Sequence, residues 1–98
     1  MYLDGPARDR DERKAFFWIR RAALSGDRNA QYTLGQMYES GRGAPQNIVG
    51  AYVWYDIAVR SGNESARASI NRLKQLLSND EMAEAERHLL KLRRGREH

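Results

Sequence analysis

There is no cysteine in these 98 residues, which excludes disulfide frameworks, thiolate metal sites and a cysteine nucleophile. Long apolar runs are missing too. One of the longest, Ala15 to Ile19, ends at Arg20-Arg21, far short of the roughly 20 residues a membrane helix needs. Met1-Tyr2-Leu3-Asp4-Gly5-Pro6 shows no basic segment leading into an apolar stretch, so no secretory signal is readable and a cytoplasmic location is expected. Histidine is scarce. Only His88 and the terminal His98 occur, and a metal site would need more ligands converging from elsewhere. No metal and no cofactor is expected.

Catalytic groupings are equally thin. Asp80-Glu81 stands where a helix would start, and Glu84 with Glu86 reads as a solvated face. Acid–base chemistry needs an enclosed pocket that shifts pKa values, and nothing in the pattern suggests one. Ser25, Ser61 and Ser78 sit at helix ends with no G-x-S-x-G elbow around them. Gly41-x-Gly43 is too short for a phosphate-binding fingerprint and follows no strand. No catalytic residue is assigned, and the chain is not expected to be an enzyme.

What is present is ordinary in amount: 41% apolar and 31% charged residues, with a formal charge of +4. A chain of this length is one domain or a piece of a larger one, and buries ~60–70% of the surface its unfolded form exposes. A basic balance can serve phosphate contact, and Arg20, Arg21 and Arg28 with Arg93, Arg94 and Arg96 would carry it. Such charge is read here as solvated surface. Nucleic acid is not the expected partner, and stands only as the alternative reading.

The informative feature is a repeat. Shifted by 36 residues, Ala15 falls on Ala51, Trp18 on Trp54, Ala22 on Ala58, Ser25 on Ser61, Gly26 on Gly62 and Ala30 on Ala66. Phe16 meets Tyr52 and Asp27 meets Asn63, and the match runs back through Met1 with Met37, Tyr2 with Tyr38, Gly5 with Gly41 and Asp11 with Asn47. Helical spacing fills each copy. Ala51, Trp54, Tyr55 and Ala58 form one stripe, with Ala15, Trp18, Ile19 and Ala22 its earlier counterpart. Ala30, Leu34 and Met37 form another, followed by Ala66, Ile70, Leu73 and Leu77. Asp11, Asp27, Asn47 and Asn63 suit N-caps, and Gly26 and Gly62 suit helix ends. The pattern predicts helices over 11–25, 28–40, 47–61, 64–77 and 79–94, with a Ser78–Glu81 capping box opening the last. Its stripe is Met82, Ala85, Leu89 and Leu92, and Glu84, Glu86, Arg87 and Lys91 give it a polar outer face. No strand is expected.

Ala30-x3-Leu34-Gly35-x2-Tyr38-x2-Gly41-x-Gly43, then Asn47-x3-Ala51-x2-Trp54-Tyr55-x2-Ala58-x3-Gly62, resembles one full Sel-one-like repeat, a tetratricopeptide-related unit. Ala44 and Gly50 depart from the valine and lysine usual in that family. The resemblance covers roughly residues 1–77: a partial repeat at 1–27, a full one at 28–63 and a further helix at 64–77, with a capping helix at 78–94 and a tail at 95–98. It implies an all-α, short right-handed α-solenoid of α-α hairpins, in which small residues let helices approach and Trp54, Tyr38 and Leu34 fill the space between hairpins. Trp18 and Trp54 are expected in equivalent surroundings.

The chain begins mid-repeat, so it reads as the C-terminal piece of a longer repeat protein. The helix at 11–25 would then expose Phe16, Phe17 or Trp18 where an upstream helix belongs, and self-association through that face is expected. The resemblance implies an interaction scaffold for a peptide or partner protein, bound along the first helix of each pair. Tyr32, Thr33, Gln36 and Glu39 lie off the apolar stripe of the 28–40 helix and are the partner-binding candidates.

Overall fold

The computed structural model describes residues 6–96, with side-chain surroundings for 11–92. Five α-helices follow in order: α1 Pro6–Leu24, α2 Arg28–Ser40, α3 Ile48–Arg60, α4 Ser65–Leu76 and α5 Asn79–Arg96. No strand occurs among the described residues. Each helix packs on the next along the chain as far as α4, and α5 returns to lie on α3. This is the all-α repeat architecture expected from the 36-residue register.

Helix ends follow the caps. The Asp27 carboxylate accepts from the amides of Asn29 at 2.9 Å and Ala30 at 3.1 Å, and Asn47 Oδ1 accepts from Gly50 N at 2.9 Å. Ser78 and Glu81 cap reciprocally, Ser78 N donating to Glu81 Oε1 at 2.9 Å and Glu81 N to Ser78 Oγ at 3.2 Å. Each satisfies donors that a helix start leaves orphaned. Asn63 stands two residues before α4, one ahead of the N-cap position that Glu64 holds, and its Oδ1 accepts from Ser65 N at 3.0 Å. Gly26 and Gly62, one repeat apart, take the same left-handed turn with φ 103° and 110°, a conformation glycine reaches without steric cost. The register is thus written in the backbone as well as in the side chains.

Two ends differ from expectation. Asp11 is not a cap, because α1 starts at Pro6, whose fixed φ and missing N–H suit the first helical position. At the other end α5 runs on to Arg96, so Gly95 and Arg96 extend the helix and are not tail. Met1, Tyr2, Glu97 and His98 lie outside the described residues.

The core is built around α3. Its expected stripe of Ala51, Trp54, Tyr55 and Ala58 is buried, but so are Val49, Tyr52 and Val53. A helix covered on several sides is apolar nearly all round, and α3 lies against α2, α4 and α5. One cluster joins it to Ala66, Ile70, Leu73 and Leu77 and to Ala85 and Leu89 of α5. Met82 and Leu92 flank that cluster, and Glu84, Glu86, Arg87 and Lys91 are exposed. A second cluster joins Trp54 to Leu34 of α2 and Ala23 of α1, with Phe16, Ile19, Ala30 and Tyr38 around them. Buried Gln31 ties the same corner, Nε2 donating to the Ala23 carbonyl at 3.1 Å.

The α1 stripe is the main correction. Its inward side is Phe16, Ile19 and Ala23, while Ala15 is exposed and Trp18 is 61% exposed against 8% for Trp54. The two tryptophans share a place in the repeat but not their surroundings. Trp54 is covered by Ala23 and Leu34, and the counterparts of those residues one repeat earlier would fall before residue 1. Phe16 turns inward, edge-on to Tyr38 at 5.4 Å between centroids. Phe17, 53% exposed, meets Trp18 edge-on at 5.5 Å, and the Arg21 guanidinium stands over both rings at 5.8 and 5.4 Å.

The two indoles are therefore expected to contribute unequally to stability. In urea unfolding, Trp54→Ala should cost about 3–5 kcal/mol, and Trp18→Ala less than about 1 kcal/mol. Equal losses would contradict the packing described.

Candidate functional site

The first helices of successive repeats, α2 and α4, both lean on α3, and a groove of about 550 Å³ opens between them. Its floor is set by one close approach. A Cβ at Gly35 would stand 2.7 Å from Cδ1 and Cε1 of Tyr55, so the tyrosine ring lies directly on the α2 backbone. Ring contact fixes where the hydroxyl goes. It donates to Glu39 Oε1 at 2.8 Å, and the same carboxylate receives Arg72 Nη2 from α4, 2.6 Å from each oxygen.

This chain of Tyr55, Glu39 and Arg72 links three helices through one carboxylate. Burial, then the hydrogen bond to Glu39 and its negative charge, push the Tyr55 hydroxyl well above the ordinary tyrosine range, with Ser69 and Arg72 pulling the other way. The hydroxyl therefore remains a donor across the physiological range. The Arg72 guanidinium is held protonated more firmly than usual by its bond to Glu39, a charge-assisted contact of the stronger kind.

All four residues singled out from the sequence, Tyr32, Thr33, Gln36 and Glu39, line this groove. Tyr32 is half-buried, its ring 5.6 Å from that of Tyr55 and tilted by 46°. Thr33 is half-buried and Gln36 exposed. Glu39 is engaged within the chain, so its part in the groove is to hold Arg72 and Tyr55 in place. Sequence reasoning missed Tyr55, Ser69, Arg72 and Arg42, which also line it. Ser69 and Arg72 stand one repeat on from Thr33 and Gln36, so the same 36-residue shift was the signal that locates them. Arg42 closes one end, its Nε donating to Glu12 of α1 at 3.2 Å.

The arginines that could have formed one basic face have three different surroundings. Arg21 stands over Phe17 and Trp18, Arg28 reaches Gly62, and Arg20 lines a separate groove beside α5. The side chains of Arg93, Arg94 and Arg96 lie outside the described residues. Among the described residues no three metal-ligating side chains converge, and no helix is long and apolar enough to cross a membrane. The α2–α4 groove is open, and its charged groups already stand in ion pairs, Glu39 with Arg72 and Arg42 with Glu12. Hydroxyls, an amide and the remaining guanidinium N–H groups of Arg72 line it. Such a surface is equipped to hold a ligand by hydrogen bonds.

Among known families, the Sel1 repeat matches residues 1–27 and 28–63. The chain is similar to the chitin synthase regulator SKT5 of Saccharomyces cerevisiae, 48% identical over 75 residues, which is 74% of this chain and 10% of that protein. It is similar as well to the chitin synthase regulator SKT5 of Malassezia restricta, 37% identical over 60 residues, 61% of this chain and 4% of the other. The DAP3-binding cell death enhancer 1 of Mus musculus is 38% identical over 63 residues, 64% of this chain and 12% of its own. The chain thus spans between 4% and 12% of the length of these relatives. With two consecutive matches over more than half of its residues, the second folded as the α2–α3 helical hairpin with α1 packed on it, the chain belongs to the Sel1 repeat family.

Proposed function

We propose that this chain is a non-catalytic protein-interaction scaffold that holds a peptide or partner protein in the groove between α2 and α4. The observation that carries the reading is the convergence of Tyr32, Thr33 and Gln36 of α2 with Ser69 and Arg72 of α4 along one open channel. Equivalent positions of two successive repeats face each other there, so an extended ligand would meet a regular series of donors and acceptors. Arg72 uses only Nη2 on Glu39, which leaves Nε and Nη1 to bind an incoming carbonyl or carboxylate. The names of the relatives, a regulator and a binding protein, are in keeping with work of this kind. Their greater length supports a place for the chain within a longer protein.

The end face of α1 supports a second contact. Phe17, Trp18 and Leu24 are more than half exposed together, and apolar patches of this sort mark interaction sites. A second copy of the chain would cover them by self-association.

Two measurements follow. Peptides selected against the chain from a random library should lose about tenfold in affinity on Thr33→Ala/Gln36→Ala, the loss of roughly two net hydrogen bonds, with an unchanged melting temperature. Selected peptides indifferent to that pair would contradict the groove. In sedimentation velocity the unaltered chain should shift to larger species as concentration rises, and Phe17→Ser/Trp18→Ser should abolish the shift. A strict monomer at high concentration argues against association through α1.

A further inference from the structure

A second groove, of about 320 Å³, lies between α1, α3 and α5 with Tyr38 of α2 at its edge, and shares no lining residue with the α2–α4 groove. Its charge is one-sided. Arg20 of α1 and His88 and Lys91 of α5 line it, and no aspartate or glutamate does. His88 and Lys91 are three residues apart and so share a face of α5. Arg20 and Lys91 form no ion pair among the described residues, and His88 has only a loose approach to Glu84 at 3.7 Å on the exposed flank. In the α2–α4 groove, by contrast, each guanidinium already has a carboxylate.

The floor is apolar. Trp54 and Val53 of α3 form it, and Gly50 leaves it open. One repeat earlier the position of Gly50 is occupied by Lys14; a Cβ at Gly50 would stand 3.2 Å from the Asn47 amide group. The Oδ1 of Asn47 is taken by the α3 cap, accepting from Gly50 N at 2.9 Å, and its Nδ2 remains a donor on the groove wall. Cations without counter-charges, one amide donor and an apolar base together fit an anion carried beside a hydrophobic group. A carboxylate entering there gains charge-assisted bonds in a partly desolvated setting, where they are stronger than in water.

We propose that this groove binds an acidic peptide segment, an aspartate or glutamate flanked by an apolar side chain: the carboxylate reaches Arg20 and Lys91, and the apolar neighbour lies on Val53 and the edge of Trp54. A peptide fits better than a nucleic acid. Non-specific nucleic-acid binding draws on cations spread along many phosphates, and here the cations enclose one short groove with an apolar floor. The site is independent of the α2–α4 groove and uses none of its residues.

The test uses the whole chain carrying Trp18→Phe, which leaves Trp54 as its only tryptophan, since the sequence has two. The probe is a capped octapeptide alternating glutamate and leucine. The comparison probe has glutamine for glutamate, and a decamer of uridylate is the polyanion control. Expected is a saturable change in Trp54 emission with the acidic probe, weakening with added salt. Arg20→Glu/Lys91→Glu should weaken binding at least about tenfold, since rim charge reversal removes attraction and adds repulsion. Arg20→Lys/Lys91→Arg should stay within about threefold, the charges being kept. Thr33→Ala/Gln36→Ala should leave it unchanged, which separates this site from the other groove. Circular dichroism checks that each variant remains helical. The proposal is overturned if the acidic probe gives no saturable change up to about 1 mM. Equal binding of the glutamine probe, equal binding by the charge-reversed variant, or tighter binding of the uridylate decamer would overturn it as well.

Discussion

The ring of Tyr55 rests on the backbone of α2 at Gly35, and most of what distinguishes this chain depends on that contact. With no side chain at position 35, the Tyr55 ring of α3 comes closer to the α2 backbone than a Cβ would allow. The same placement buries the ring almost completely and delivers its hydroxyl to Glu39. Glu39 then fixes Arg72 of the following helix. A packing constraint inside one hairpin thereby becomes a polar connection between hairpins, at the wall of the groove. Buried hydroxyls need such partners, so the floor of the groove and its polar lining are one construction.

Around that contact the architecture is nearest-neighbour, as expected for stacked repeats. α3 is the helix with covered faces on several sides, and its residues are correspondingly apolar. α5 turns Met82, Ala85 and Leu89 inward while Glu84, Glu86, Arg87 and Lys91 are exposed. Trp18 and Trp54 express the same rule from opposite positions. An indole at this point of the repeat is built to meet residues of the preceding helices. Trp54 has Ala23 and Leu34 to meet, whereas among the described residues Trp18 meets Phe17 and Arg21.

Much of this was legible in the residues. The 36-residue register pointed to the first four helices, and the Ser78–Glu81 capping box to the fifth, because the hydrogen bonds of caps and glycine turns are local. Asp27, Asn47, Ser78 and Glu81 act as their types require. The stripes of α2 and α4 were readable since each has one buried side. The stripe of α1 was not, because equivalence in the repeat was taken as equivalence in burial, and burial depends on what lies alongside. Val49, Tyr52 and Val53 escaped for the converse reason: a helix covered from several sides has no single stripe. Asp11 misled as a cap because a cap is only as informative as the helix start, and Pro6 lies upstream. In the groove, Tyr32, Thr33, Gln36 and Glu39 could be chosen as polar positions on one helix. That Glu39 is engaged by Tyr55 and Arg72 is a tertiary fact, arising from residues 16 and 33 positions away.

The central claim is that Tyr55 needs the absence of a side chain at position 35, and the sign of one stability change tests it. Alanine in place of a mid-helix glycine ordinarily stabilises by about 0.5–1 kcal/mol. At position 35 the added methyl would press on the Tyr55 ring at 2.7 Å, and overpacking of that kind costs about 1–3 kcal/mol. Urea unfolding of Gly35→Ala against the unaltered chain decides between them: a loss of stability is the expected result, and a gain would contradict the account.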